Sequence, residues 1–249
     1  MATGTVSRQY KVLNRSIQHS ILSPHYHSKF RIPYNMLIKP ELDAVQEHIN
    51  KNAPEPVKSA VLTAKDELQR SFQYNKVIQA GDQLPPFRLQ NAIGEEQSSI
   101  DLLAQGPLVI TFYRGEWCPF CNIAIAGLQK HLPQFQEHGV NLVAITPELP
   151  NGTMTMTEKH ELKFSVLSDL HNDYARQLGI VWKQPSSLKP VYEALGHDLR
   201  EKNGDDSFEV PLPATFLVDQ KGIVRNVYVQ PDYFKRVEPG EILQWIKAL

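Results

Sequence analysis

Cysteine is scarce in this chain, at two residues in 249. That scarcity excludes a disulfide-stapled secreted scaffold. Cys118 and Cys121 stand three positions apart, so a disulfide between them closes a loop too small to restrict the unfolded chain much. Reactivity explains the pair better than stapling does. Net charge is nearly absent too: 26 Lys and Arg against 27 Asp and Glu leave −1. Nothing electrostatic points to nucleic acid or an anionic membrane as partner. No apolar run approaches the ~18 residues that suggest a membrane span. Acid is missing locally as well. Met1 to Pro40 hold Arg8, Lys11, Arg15, Lys29, Arg31 and Lys39 but no Asp or Glu.

A basic, acid-free, Ser-containing start resembles an organelle presequence. A disordered basic tail, or translation from Met36, are the other readings. There is no apolar segment of secretory type. The expected compartment is intracellular and cytoplasmic, or mitochondrial if the start is a presequence.

What is present suits a folded protein. Hydrophobic residues make up 41% and charged residues 21%, and the length fits one good-sized domain with an extension. Residues 1–39 form the basic segment. Residues 40–75 read as a helical hairpin. Pro40 opens its first helix, with Leu42, Val45 and Ile49 on one face, and Pro54 and Pro56 break the pattern. A second helix from about Val57 to Tyr74 carries Val61, Leu62, Leu68 and Phe72 as its apolar stripe. The hairpin is either docked on the main domain or used for homodimerisation.

Residues 76–249 read as an α/β domain. Leu108 to Tyr113 is a near-continuous apolar run, as expected of a central strand buried on both faces. A helix runs from Cys118 to about Leu132, and a further helical piece ends at Gly139. Leu142 to Ile145 gives a second buried strand. Helices over Met154–His160, Tyr174–Leu178 and Ser187–Leu195 frame a short strand at Phe164–Leu167. His197 to Glu209 reads as a polar loop. Ala214–Asp219, the Lys221-Gly222 turn and Ile223–Val229 read as a hairpin, followed by a final helix over Glu241–Leu249. Strands alternating with helices indicate a mixed sheet.

The chemistry lies in Thr111-Phe112-Tyr113-Arg114-Gly115-Glu116-Trp117-Cys118-Pro119-Phe120-Cys121. A Cys-x-x-Cys pair follows a buried strand and opens a helix, where free backbone N–H groups and the positive helix end favour a thiolate. Arg114 would add positive charge, and Glu116 would oppose it if it faced the sulfur. The second cysteine, one turn on, can resolve a mixed disulfide or a sulfenic acid. Zinc needs about four ligands, and no histidine shows ligand spacing to the pair. No metal or organic cofactor is expected. Pro213, just before a strand, is either a cis proline in a tight turn or a plain strand-entry residue.

Phe112-Tyr113-Arg114-Gly115-x-Trp117-Cys118-Pro119-x-Cys121-Asn122 resembles the peroxiredoxin-like branch of the alkyl hydroperoxide reductase and thiol-specific antioxidant family. The resemblance extends to Asn203-Gly204-Asp205-Asp206-Ser207, Pro213-Ala214-Thr215-Phe216 and Pro231-Asp232-Tyr233. It implies a thioredoxin fold and two alignments that disagree about the nucleophile. Laid on peroxiredoxins, Arg114 falls on their proline, Cys118 on their threonine and Cys121 on their peroxidatic cysteine. Laid on thioredoxins, Cys118 attacks, Cys121 resolves and Pro213 matches their cis-proline. The arginine that peroxiredoxins usually carry is replaced by Pro213, and Arg114 is the residue that could substitute for its charge. Thr215 offers a hydroxyl near the site or is simply a β-branched strand residue. Trp117 and Phe120 line or shield the site.

The leading expectation is a thiol peroxidase acting on a peroxide substrate and recycled by a thioredoxin-type dithiol reductant. The alternatives are a protein thiol–disulfide oxidoreductase, favoured by Trp-Cys-x-x-Cys and Pro213, and a non-enzymatic redox sensor with the hairpin as partner surface.

Overall fold

The structure is a computed structural model and describes residues 37–249. The basic start and its presequence reading lie outside the described residues up to Met36. Counting helices of seven residues or more, the chain runs α1 (Lys39–Asn52), α2 (Glu55–Ser71), β1 (Arg88–Asn91), β2 (Glu96–Ser98), α3 (Ser99–Gln105), β3 (Leu108–Phe112) and α4 (Pro119–Glu137). It continues with β4 (Asn141–Thr146), α5 (Pro150–Lys159), β5 (Ser165–Ser168), β6 (Val181–Lys183), β7 (Glu209–Pro211), β8 (Ala214–Val218), β9 (Val224–Val229) and α6 (Pro239–Lys247).

Seven strands form one mixed sheet in the order β2-β1-β5-β4-β3-β8-β9, and β6 pairs with β7 apart from it. β3 lies parallel to β4 and antiparallel to β8, with Phe112 opposite Ile145 on one side and Ala214 on the other. Every residue of β3 is buried, as its unbroken apolar run requires. Burying a side chain such as Ile110 contributes about 1.5–3 kcal/mol. The strand is therefore a rigid support for whatever follows its C-terminal end.

The hairpin is docked. Leu42 and Val45 of α1 and Ala64 and Leu68 of α2 belong to the same apolar core as the sheet. Glu238 fastens α1, its two carboxylate oxygens accepting the N–H groups of Ile38 and Lys39 at 2.8 Å each. In α2 the expected stripe holds except at Leu62. Leu68 is buried and Val61 and Phe72 pack partly buried against the core as expected, but Leu62 is 42% exposed, and Val57 and Ala64 are buried in its stead.

Other departures have local causes. The helix after Cys118 does not divide. α4 passes through Pro133 to Glu137, since Leu132 and Phe135 on either side of the proline are buried in the core, and packing overrides propensity. The polar loop after His197 holds a helical turn, Leu199–Asn203, because Asp198 accepts from the Arg200 N–H at 2.9 Å. β1 and β2 gave no strand signal. They are short and polar, β2 forming the sheet edge and β1 lying next to it, joined by a turn in which Asn91 Oδ1 accepts from Ile93 and Glu95.

Candidate active site

β3 ends at Phe112, and the next nine residues lay the reactive groups across its C-terminal end. Gly115 has φ +154°. A methyl group there would stand 2.2 Å from Trp117 Nε1 and 2.9 Å from Glu148 Oε1. The loop turns tightly because this residue has no side chain. Cys118 caps α4, with Sγ accepting the Cys121 N–H at 3.3 Å. Pro119 occupies the first turn, where a missing N–H costs nothing. Asn122 staples the loop to the helix, donating to the carbonyls of Glu116 at 2.7 Å and Cys118 at 2.8 Å. Its Oδ1 faces His160 Nε2 at 2.9 Å.

Two arginines converge on the sulfurs. Arg114 Nη2 donates to Cys118 Sγ at 3.2 Å, with the guanidinium between the rings of Trp117 (5.1 Å) and Tyr233 (4.6 Å). Arg236 Nη2 donates to Cys121 Sγ at 3.0 Å and reaches Cys118 Sγ at 3.9 Å. Both cysteines have no solvent exposure and both are free thiols.

Burial pushes both thiols up, and the remaining interactions separate them. Cys118 stays well above its ordinary value, because its proton is held in a hydrogen bond to Cys121. Cys121 falls well below: against burial it receives the Cys118 hydrogen bond, the charges of Arg236 and Arg114, and a backbone hydrogen bond from Arg114. These directions favour the thiol at Cys118 and the thiolate at Cys121.

Glu116 does not oppose this. Its carboxylate is drawn away by Lys159 at 2.9 Å and Lys202 at 3.8 Å. Burial raises its pKa, but the Lys159 hydrogen bond and charge outweigh that and lower it. Trp117 packs edge-on against Tyr192 at 5.0 Å. Phe120 stacks on Phe234 at 4.8 Å. Both aromatics wall the site.

Pro213 is trans, since no cis peptide bond occurs among the described residues. Its match to a cis-proline fails. It lies instead between β7 and β8, in a chain that leaves its pairing with β6 and enters the central sheet extended. Thr215 is buried on β8, its hydroxyl 3.1 Å from that of Thr111. Pro213, Thr215, Tyr228 and Arg236 line a cavity of about 10 Å³ behind the site, room for one water molecule.

Sequence reading missed Arg236, Tyr192 and Glu148. Arg236 had a weak signal in the aromatic and basic cluster Tyr233-Phe234-Lys235-Arg236. Glu148 lies just past the C-terminal end of β4, where parallel strands place functional groups. Among the described residues no group of three His, Cys, Asp or Glu could hold a metal ion. No helix there is long and apolar enough to cross a membrane.

Comparison with known proteins agrees with this geometry. Peroxiredoxin Bcp of Escherichia coli K12 is 28% identical over 171 residues, 68% of this chain and 96% of the relative. The chloroplastic peroxiredoxin Q of Sedum lineare is 24% identical over 161 residues, 65% of this chain and 74% of the relative. Among solved structures, peroxidoxin BcpB of Mycobacterium tuberculosis superposes with a TM-score of 0.53 at 20% identity, over 69% of this chain and 98% of that one. Peroxiredoxin 6 of Arenicola marina gives 0.56 at 16% identity, over 68% and 72%. These two likenesses show the peroxiredoxin form of the thioredoxin fold. The AhpC/TSA family profile matches residues 80–227, more than half of the sequence, and the chain belongs to that family.

Proposed function

We infer that the protein is a thiol-dependent peroxidase in which Cys121 attacks the peroxide and Cys118 resolves the product. The observation that carries the assignment is the Arg236 guanidinium 3.0 Å from Cys121 Sγ. It holds a thiolate where a nucleophile is needed and offers a cation to a departing oxygen.

The Cys121 thiolate attacks the terminal, hydrogen-bearing oxygen of ROOH. An S–O bond forms, the O–O bond breaks, and the alkoxide takes a proton and leaves as ROH. The Cys118 thiol then attacks the sulfenic sulfur, loses its proton and expels water, leaving a disulfide. A dithiol donor of thioredoxin type returns the pair to thiol and thiolate by exchange. With both sulfurs buried, a small peroxide reaches them with less rearrangement than a protein disulfide. A partner dithiol requires the Trp117 and Tyr233 walls to part. Exchange with protein disulfides is the second reading, favoured by the Trp-Cys-x-x-Cys spacing.

The test is rapid mixing of the reduced protein with one equivalent of hydrogen peroxide, for wild type, Cys118→Ser and Cys121→Ser. Fast loss of both thiols in wild type, retained attack in Cys118→Ser and none in Cys121→Ser are expected. Attack retained only in Cys121→Ser would reverse the roles. A wild-type rate no faster than a free thiol, with rapid reduction of an insulin disulfide, would favour the second reading.

A further inference from the structure

The cycle above has a proton deficit. Starting from a Cys118 thiol and a Cys121 thiolate, breaking the O–O bond and forming the disulfide release ROH and water, which together need one proton more than the pair and the peroxide bring. Reduction of the disulfide to thiol and thiolate by a dithiol gives one back. A group that lends and recovers that proton without opening the site would keep the cycle balanced.

Glu148 is buried at 0% exposure beneath the Gly115–Cys118 turn. One carboxylate oxygen, Oε2, accepts the Glu116 N–H at 2.7 Å. The other, Oε1, is buried with no hydrogen-bond partner, and so is Trp117 Nε1. Both atoms border the space that a side chain at Gly115 would fill. A buried acceptor left without a donor is costly for a carboxylate and tolerable for a carboxylic acid, which carries its own O–H. We propose that Glu148 is the proton reservoir of the cysteine pair: protonated while the pair is an anion, it gives up its proton as the disulfide forms and regains it on reduction.

The surroundings support that exchange. Burial pushes the carboxyl up to about 7. The groups that face it are the Glu116 N–H and the Lys202 ammonium, which lower it, and the Glu116 carboxylate and the Cys121 thiolate, which raise it. The Tyr113 phenol stands on the same side and feels the Glu148 charge. Lys159 acts on the cluster through Glu116. Oxidation removes the Cys121 thiolate, so the carboxyl acidifies when the disulfide forms. The proposal rests on the cysteine pair being a redox couple and does not depend on which oxidant it meets.

The test counts protons. The full chain is reduced by dithiothreitol at a series of pH values around neutrality, and the slope of the midpoint potential against pH gives the protons taken up per disulfide. Wild type is expected to take up about one and a half near pH 7, rising toward two at lower pH, and Glu148→Gln about one. Equal counts in a folded Glu148→Gln protein would overturn the proposal. Should that variant not fold, the infrared difference spectrum of wild type, reduced minus oxidised, decides. A buried carboxylic-acid carbonyl band that appears on reduction supports the reservoir, and its absence overturns it. Because the titration uses dithiothreitol as reductant and no peroxide, failure of the peroxidase reading leaves this result interpretable.

Discussion

Arg236 donates to Cys121 Sγ across 115 residues of chain. The residue lies beyond the segment that matches the AhpC/TSA family. It brings a cation to within 3.0 Å of the Cys121 sulfur. It arrives on a segment held from both sides. Phe234 stacks on Phe120 of the Cys-x-x-Cys turn, and the Tyr233 hydroxyl donates to the Val61 carbonyl of α2 at 3.1 Å.

Arg236→Met should raise the Cys121 pKa and slow peroxide consumption at neutral pH by about ten- to a hundredfold, the effect of removing one close cation from a buried anion. Thiolate absorbance against pH, together with the rate, checks both. Arg114→Met should act more weakly on Cys121, because its hydrogen bond goes to Cys118. An unchanged thiolate titration in Arg236→Met would remove the arginine from the mechanism.

Cys118→Ser should still react once with peroxide and stop there. Without the resolving thiol, one added oxygen on Cys121 persists, and excess peroxide drives it to the sulfinic state. Mass spectrometry of the intact protein after one and after many equivalents reads the two stages.

Glu148 also sets a pH dependence of stability. Its carboxyl ionises near 4.5 in the ordinary case and near 7 when folded, chiefly through burial. Between those values the folded state holds the extra proton, so stability falls as pH rises through the window. The rise from 4.5 to about 7 corresponds to about 3 kcal/mol. Glu148→Gln should lose this decline, so its stability relative to wild type increases between about pH 5 and about pH 8. Denaturant midpoints of both proteins across that range are the measurement, and parallel curves would contradict the buried-acid assignment.

The hairpin should loosen in Glu238→Ala. Two N–H groups at the start of α1 lose a charged acceptor, at about 1.5–3 kcal/mol for the stronger of such bonds. Faster proteolysis within α1, with the sheet still intact by circular dichroism, is the expected result.

The sequence determined the framework by itself. The apolar run of Leu108–Tyr113 reads as a strand buried on both faces, and Cys118, Pro119 and Cys121 read as a helix start just beyond it. Those are short-range facts, fixed by side-chain periodicity and by which residues tolerate a helix's first turn. Family resemblance added the peroxidatic register of Cys121 but left the attacking thiol open. Tertiary structure decided what lies far apart in the chain. Arg236 reaches the sulfurs only because the Asp232–Arg236 segment folds back between α2 and α4. Glu148 lies under the loop only because β4 pairs in parallel with β3 and ends beside it. Pro213 proved trans, and Thr215 turned its hydroxyl to Thr111. Which thiol holds the charge depends on cations and burial summed over all these elements, and no local pattern encodes that sum.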